Sequence, residues 1–261
     1  MEKTIIKINN KIEIGGGNFI IIAGPCAAES EEQTIDGAKG VLESGAHIFR
    51  TSFFKPRTLP HTFQGCGPIG FAWLKKSQAI TKIPSAIEVR TPAHIDLAIK
   101  NKIDILWIGA RNSQNFDLLI EIGKKTAGKS IPIILKRGSG MKLKEWLGAA
   151  EYIRTNGNPN VILCERGVVG FDPETTRNML DLQTAVVAKK ESGLPVIIDP
   201  SHASGRKDLI APMCLAAKAA GLDGILVEVH PSPETAMTDK DQQISIDELK
   251  KLIKELDRIP S

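Results

Sequence analysis

Cys26 and Glu228 each end an apolar run, His202 follows another, and Asp239 lies in the polar stretch beyond Glu228. A thiol, an imidazole and two carboxylates form a mixed S/N/O donor set that suits a first-row divalent ion such as Mn, Fe, Co or Zn. With one position open or exchangeable, such an ion polarises a carbonyl. Taken alone, Cys26 is better read as a small buried hydrophobe. Four ligand types standing at the ends of apolar runs favour the metal. His230, two residues past Glu228, is a rival ligand or a supporting hydrogen-bond partner, and is left outside the quartet.

A second set is cationic. Arg50 with Lys55 and Arg57, then Arg111, Lys136 and Arg166, stand at or just past the ends of four other runs. Acids such as Glu88 or Glu165 could pair with one or two of them, but six cations aimed into one cavity repel unless anions fill it. Arg grips carboxylate and phosphate at two points, and Lys adds a point charge. The set predicts a substrate with several negative charges, such as a sugar phosphate or phosphoenolpyruvate.

The elements that must carry these groups are eight apolar runs: 19–25, 47–51, 84–89, 104–110, 131–135, 160–165, 194–199 and 223–229. Stretches of helical period separate them. Eight strand-helix units predict a (β/α)8 TIM barrel, whose active site is built by the loops after the strands. In a closed barrel the seventh, eighth and first strands are neighbours, so Cys26, His202, Glu228 and Asp239 converge on one wall. The cations face them from the opposite side. Residues 4–14 predict a hairpin turning at Asn9-Asn10 through positive φ, and Gly15–Gly17 a flexible joint. Helices are expected over 31–44, 68–81, 93–101, 114–125, 141–155, 173–191, 206–220 and 245–257. Ser30 with Gln33 and Ser245 with Glu248 serve as capping boxes, and Asp172 as the N-cap before Pro173. The long connections 51–67 and 230–244 both follow strands and so belong to the active-site side. The expected organisation is one barrel over 1–261, with 1–17 as an N-terminal extension.

The 261 residues are 42% hydrophobic and 25% charged, ordinary for a soluble globular domain. The charge of +4 is dispersed and aromatics are 5%, which speaks against nucleic-acid binding. No run approaches the length of a membrane span, and the start lacks the apolar core of a signal peptide; a cytoplasmic location is expected. The four cysteines show no CxxC spacing, and Cys164 and Cys214 read as core. Residues 65–70 formally match GxGxxG, but follow a loop and contain a proline, so they read as a turn into the next helix rather than a dinucleotide site.

KPRT (55–58) with FQG (63–65), GPC (24–26), IGARN (108–112), LKRG (135–138), ILCERG (162–167), DPSHASGR (199–206) and VEVHPSPE (227–234) occur in that role and order across nearly the whole chain. Together they resemble the 3-deoxy-D-arabino-heptulosonate 7-phosphate (DAHP) synthase family, in the short microbial subfamily related to 3-deoxy-D-manno-octulosonate 8-phosphate (KDO8P) synthase. The resemblance implies condensation of phosphoenolpyruvate with erythrose 4-phosphate, the first step of the shikimate pathway, with a divalent metal and no organic cofactor. It implies Cys26, His202, Glu228 and Asp239 as metal ligands, and Arg50, Lys55, Arg111, Lys136 and Arg166 as the phosphoenolpyruvate clamp. Arg57 and Thr58 would take the aldose phosphate and Asp199 the aldose hydroxyls. Lys55, Lys136, His202 and Glu88 would carry the chemistry, Glu88 by orienting water. A homotetramer or homodimer is implied too. The alternative is the KDO8P sibling, which uses arabinose 5-phosphate; its segment after the second strand usually resembles DKANR, where this chain has FKPRT. His61 and Cys66 depart from the family pattern in that loop. Rival readings are a metal-dependent sugar-phosphate aldolase and a non-catalytic barrel that senses phosphometabolites. With only a hairpin ahead of the barrel, no appended sensing domain is expected, and hence no inhibition by Phe, Tyr or Trp.

Overall fold

The computed structural model describes residues 3–55, 57 and 59–260. A two-stranded antiparallel hairpin, β1 (Ile6–Lys7) and β2 (Glu13–Ile14), precedes eight parallel strands. These are β3 (Ile20–Gly24), β4 (Ile48–Thr51), β5 (Ser85–Glu88), β6 (Ile105–Ile108), β7 (Ile133–Lys136), β8 (Val161–Glu165), β9 (Val196–Ile198) and β10 (Gly224–Glu228). They pair in chain order and β10 returns to β3, closing the barrel. The helices are α1 (Glu31–Glu43), α2 (Ile69–Thr81), α3 (Pro92–Lys100), α4 (Phe116–Thr126), α5 (Leu143–Thr155), α6 (Leu182–Ser192), the short α7 (Pro200–Ser204), α8 (Ile210–Ala219) and α9 (Ile246–Leu256). No helix among the described residues is long and apolar enough to cross a membrane.

The near-continuous apolar runs follow from burial on both faces of each strand. Because side chains alternate, Ile20, Ile22, Ile48, Ile105, Ile134, Ile162, Ile197 and Leu226 fill the barrel interior. Their neighbours Ile21, Ala23, Leu106, Ile133, Leu163, Ile198 and Ile225 pack outward with the helices. Cys164 belongs to the inner layer and Cys214 to the outer one, both as core residues.

The hairpin is a plug. Ile6 and Ile14 are buried within the same inner layer, and Thr4 N donates to Gly193 O just ahead of β9. The plug therefore covers the N-terminal end of the barrel, opposite the strand ends that carry the charged groups. Its turn is not made by positive φ, which neither asparagine adopts. Instead Asn9 Oδ1 accepts the N–H groups of Lys11 and Ile12, a side-chain substitute for a backbone turn. Gly15–Gly17, all at positive φ, form a bridged turn, Gly15 to Asn18, rather than an open joint.

Two helix expectations need correction. Residues 173–181 are not helical; α6 starts at Leu182, capped by Asp181, whose side chain accepts Thr184 N at 2.9 Å. Asp172 closes only a local turn, through Glu174 N and Thr175 N. The segment is held out of a helix because its backbone bonds elsewhere: Val168 with Met179, Arg177 N to Ser204 O, and Asn178 N to Ala203 O. The expected helix 206–220 likewise starts at Ile210, after the 3-10 turn Lys207–Leu209, and Asp199 caps the separate α7 before it. The Ser245–Glu248 capping box forms as expected, whereas Gln33 reaches past Ser30 to Glu29 N.

Replacing Ile14 with Ala should leave a cavity in the inner layer and cost about 2–5 kcal/mol, read from the shift in urea denaturation. A loss below about 1 kcal/mol would show that the hairpin is not packed into the barrel.

Candidate active site

The charged groups collect at the C-terminal strand ends. Cys26 follows β3, Arg50 lies on β4, Glu88 ends β5, Lys136 ends β7, Arg166 follows β8, Asp199 and His202 follow β9, and Glu228 ends β10. Between β4 and α2, Phe53 packs edge-on against Phe71 and Phe54 stacks on His94. Lys55 N donates to Gln64 O and Gly67 N to Phe53 O. Gly65 sits at φ +100°, where an added Cβ would fall 2.1 Å from Phe53 O; the GCGPIG string is thus a packed turn into α2. These contacts send Lys55 inward.

The ligand atoms of Cys26, Glu228 and Asp239 lie within 4.8 Å of one another. The Cys26 thiol donates to Asp239 Oδ2 at 3.0 Å, and Lys55 Nζ donates to Cys26 Sγ at 2.9 Å. His202 joins them, its Nε2 being 3.4 Å from Glu228 Oε1. Its Nδ1 faces Asp199 Oδ2 at 2.8 Å, so that in the neutral ring Nδ1 would carry the proton and Nε2 the lone pair. His230 turns away: its Nδ1 accepts Ser232 N, and its Nε2 is 3.5 Å from Glu29.

Electrostatics bind this cluster to the cations. Burial works against the Arg50 charge, but Glu228, with Oε1 2.9 Å away, together with Cys26 and Asp199 more than offsets it, and the guanidinium pKa rises. Burial would raise the Glu228 and Asp239 pKa values; His202 leads the groups that lower them instead, Asp239 to about 2. Burial, then Glu228, push the Cys26 thiol up, against Lys55. A cation among these donors reverses that balance, since ligation deprotonates a thiol. Three acidic donors converging on one point, with an imidazole lone pair beside them, fit a divalent ion.

One cavity of about 540 Å³ spans both sets. Arg50, Lys55, Arg57, Arg111, Lys136 and Arg166 all line it, together with Glu88, His202 and Asp239. Arg50 and Lys136 are paired, with Glu228 and Asp199, and not with the Glu88 or Glu165 anticipated from sequence. Glu165 instead binds Arg137, which also reaches Asp181. Burial lowers the Arg166 pKa despite nearby Asp199, so an anion arriving there would stabilise its charge. Glu88 is buried beneath Gly109, where an added Cβ would fall 2.1 Å from Glu88 Oε1.

Asp199 departs from expectation. It is fully buried, and its oxygens already accept His202 N, His202 Nδ1 and Lys136 Nζ. It orients those two residues and is not among the residues that line the cavity. Thr58 lies outside the described residues. Two lining residues escaped sequence reasoning. Trp107 sits under Arg50 and Lys136, with 4.8 and 5.5 Å from their charged atoms to its ring centroid. Arg177 approaches Asp239 Oδ1 at 3.6 Å; reading its segment as a helix hid it.

A closed parallel barrel with a mixed thiol, carboxylate and imidazole cluster facing a cationic wall defines an enzyme class that handles small polyanions at a metal centre. Comparison with known proteins gives the family. The DAHP synthetase I family model matches residues 3–259, and the chain belongs to that family. A Thermotoga maritima phospho-2-dehydro-3-deoxyheptonate aldolase is 40% identical over 259 residues, covering 99% of this chain and 74% of its own. The crystal structure of a Thermotoga maritima protein of that name, also called DAHP synthase, superposes with a TM-score of 0.92 over 98% of this chain and 73% of its own. A Syntrophotalea carbinolica 2-dehydro-3-deoxyphosphooctonate aldolase is 30% identical over 92% of this chain and 91% of its own.

Titrating the metal-free protein with Co(II) should produce near-ultraviolet thiolate-to-metal absorption that Cys26→Ala abolishes and Cys66→Ala leaves intact. Absorption that survives Cys26→Ala would remove the thiol from the ligand set.

Proposed function

We propose that the protein is a DAHP synthase, a transferase that condenses phosphoenolpyruvate with D-erythrose 4-phosphate and water to give DAHP and inorganic phosphate. This is the first step of the shikimate pathway toward aromatic amino acids. The observation that carries the reading is the shared cavity: six cations and the His202–Asp239 side of the cluster face one space. Its volume is within the usual range for small-molecule sites.

A divalent ion (Mn, Fe, Co or Zn by donor type) held by Cys26, His202, Glu228 and Asp239 would supply Lewis acidity toward the aldehyde oxygen. Arg50, Lys55, Arg111, Lys136 and Arg166 clamp the carboxylate and phosphate of phosphoenolpyruvate. Arg57, braced by its Nε hydrogen bond to Thr62, takes the aldose phosphate with Thr58. Holding both anions fixes C3 of the enol against the aldehyde carbon, where the new bond forms. Positive charge then develops at C2 and water adds there. Glu88 orients that water and accepts its proton. The resulting hemiketal phosphate breaks its bond from C2 to the phosphate ester oxygen as the C2 hydroxyl gives up its proton to become the ketone. Phosphate leaves, and the former aldehyde oxygen takes up a proton to become a hydroxyl. No organic cofactor is needed. The inner charged groups, Arg50, Lys55 and Lys136, are buried, where their interactions are stronger than in water.

Phosphoenolpyruvate consumption should be faster with erythrose 4-phosphate than with arabinose 5-phosphate, should stop on chelation, and should return with added divalent metal. The reverse aldose preference would make the protein a KDO8P synthase; relatives at 30% and 29% identity are named 2-dehydro-3-deoxyphosphooctonate aldolase. Arg57→Ala should raise the KM for the aldose phosphate by about tenfold or more, the loss of a charge-assisted hydrogen bond, and leave that for phosphoenolpyruvate nearly unchanged. Equal rises in both constants would assign Arg57 elsewhere.

The homodimer or homotetramer implied by the family is supported by one surface feature. Phe171 is fully exposed, and Val169 two residues before it and Met179, which pairs with Val168, are 72% and 51% exposed, apolar residues suited to contact with another chain. Sedimentation should show an oligomer that Phe171→Ser shifts toward smaller species; a monomeric native protein would end that reading. A biosynthetic role of this kind belongs in the cytoplasm.

A further inference from the structure

Beyond β10 the chain carries two successive glutamines whose side chains serve different strands. Gln243 is fully buried; its Oε1 accepts Cys26 N–H at 3.0 Å and its Nε2 donates to Thr238 O at 2.7 Å. Gln242, also buried, donates Nε2 to Glu228 Oε2 at 2.6 Å, and its Oε1 accepts from Arg177 at 2.9 Å. Both amides are therefore engaged at both ends. Their four hydrogen bonds join the end of β3, the end of β10, the loop before α6 and the loop that carries Asp239.

Asp239 itself has φ 49° and ψ 35°, the left-handed region, and Gln242 N closes that turn on Asp239 O at 3.1 Å. A non-glycine residue persists there only where its surroundings hold it. Glu228 is similarly constrained. With Oε2 tied to Gln242, Oε1 is the oxygen that Arg50 Nη1 meets at 2.9 Å and that faces His202 Nε2 at 3.4 Å. The chemistry asks for amides at both positions. A carboxylate at 242 would oppose Glu228, an apolar side chain at 243 would leave the buried Cys26 N–H unpaired, and a glutamine offers one donor end and one acceptor end.

We infer that Gln242 and Gln243 are positioning residues for the metal ligands: Gln243 sets Cys26 against the Asp239 loop, and Gln242 selects the Glu228 oxygen presented to the cluster. The inference rests on the proposed metal quartet. It predicts that Gln242→Ala and Gln243→Ala weaken Co(II) binding about 10- to 100-fold, the usual effect of removing a partner that orients a ligand. Gln243→Ala should also change the Cys26 thiolate absorption, which Gln242→Ala should keep. In both variants turnover should recover at saturating metal, and the KM for phosphoenolpyruvate should move little. Thermal unfolding of the metal-free proteins reports folding separately. Should alanine at 242 fail to give folded protein, the similarly sized Gln242→Met must still weaken Co(II), because it offers no donor to fix Glu228 Oε2. Gln243→Glu keeps an acceptor for Cys26 N–H and should keep the thiolate absorption. Native-like Co(II) affinity in the folded variants would overturn the inference alone. A native protein that binds Co(II) without thiolate absorption would overturn the metal quartet, and this inference with it.

Discussion

The site depends on burying acids and bases together at the mouth of a barrel whose other end is sealed. Glu228 and Asp199 are fully buried carboxylates, and an unpaired buried charge costs several kcal/mol. Each is therefore matched: Glu228 with Arg50, and Asp199 with Lys136 and His202. Barrel closure makes the matching possible, because β10 pairs with β3 in full register, Glu228 opposite Gly24. That register sets the end of one strand beside the Gly24-Pro25-Cys26 turn of the other. Gly24 lacks the side chain that would otherwise meet Arg50 O at 2.1 Å, so β3 and β4 can approach and bring Arg50 to Glu228.

Strand alternation separates two neighbours with opposite duties. Lys136 ends β7 pointing into the barrel, over Trp107. Arg137 points the other way, lies over Trp146, and holds Glu165 and the α6 cap Asp181. One residue faces the chemistry and the next secures the helix layer, so the LKRG string is half site and half scaffold. The same division appears at Glu165 and Arg166, where the acid is buried in the scaffold and the base lines the cavity.

The barrel was legible because its signal is periodic and repeated: eight apolar runs, each ending in a charged or reactive residue. The nearness of Cys26, Glu228 and Asp239 was legible because closure makes the first and last strands neighbours; His202 stands beside Glu228. What stayed hidden depends on side-chain partners far apart in the chain. Residues 173–181 have a helix-like composition, yet their backbone bonds go to α7 and to residue 168. The resemblance implies a substrate role for Asp199; that it accepts from both His202 and Lys136 shows only in the fold. Trp107 reads from sequence as one more apolar strand residue, and only the geometry puts two cations over its ring. Gln242 and Gln243 are unremarkable in a polar loop until their partners, more than two hundred residues away for Cys26, are known.

The pairing pattern also divides the cationic wall. Arg50, Lys55 and Lys136 already have acidic or sulfur partners within the protein. Their charges mainly balance the cluster, and an incoming anion gains from them only what those partners leave unscreened. Arg166 has no such partner among the described residues, and its burial disfavours the charged state. Among the described residues, Arg57 is held by the Thr62 hydroxyl and no acid. An anion that reaches Arg166 or Arg57 therefore meets a charge not yet neutralised, where the Coulombic gain is largest. The inner cations hold the cluster together before any substrate enters, and the outer ones supply the attraction that draws a phosphorylated substrate in.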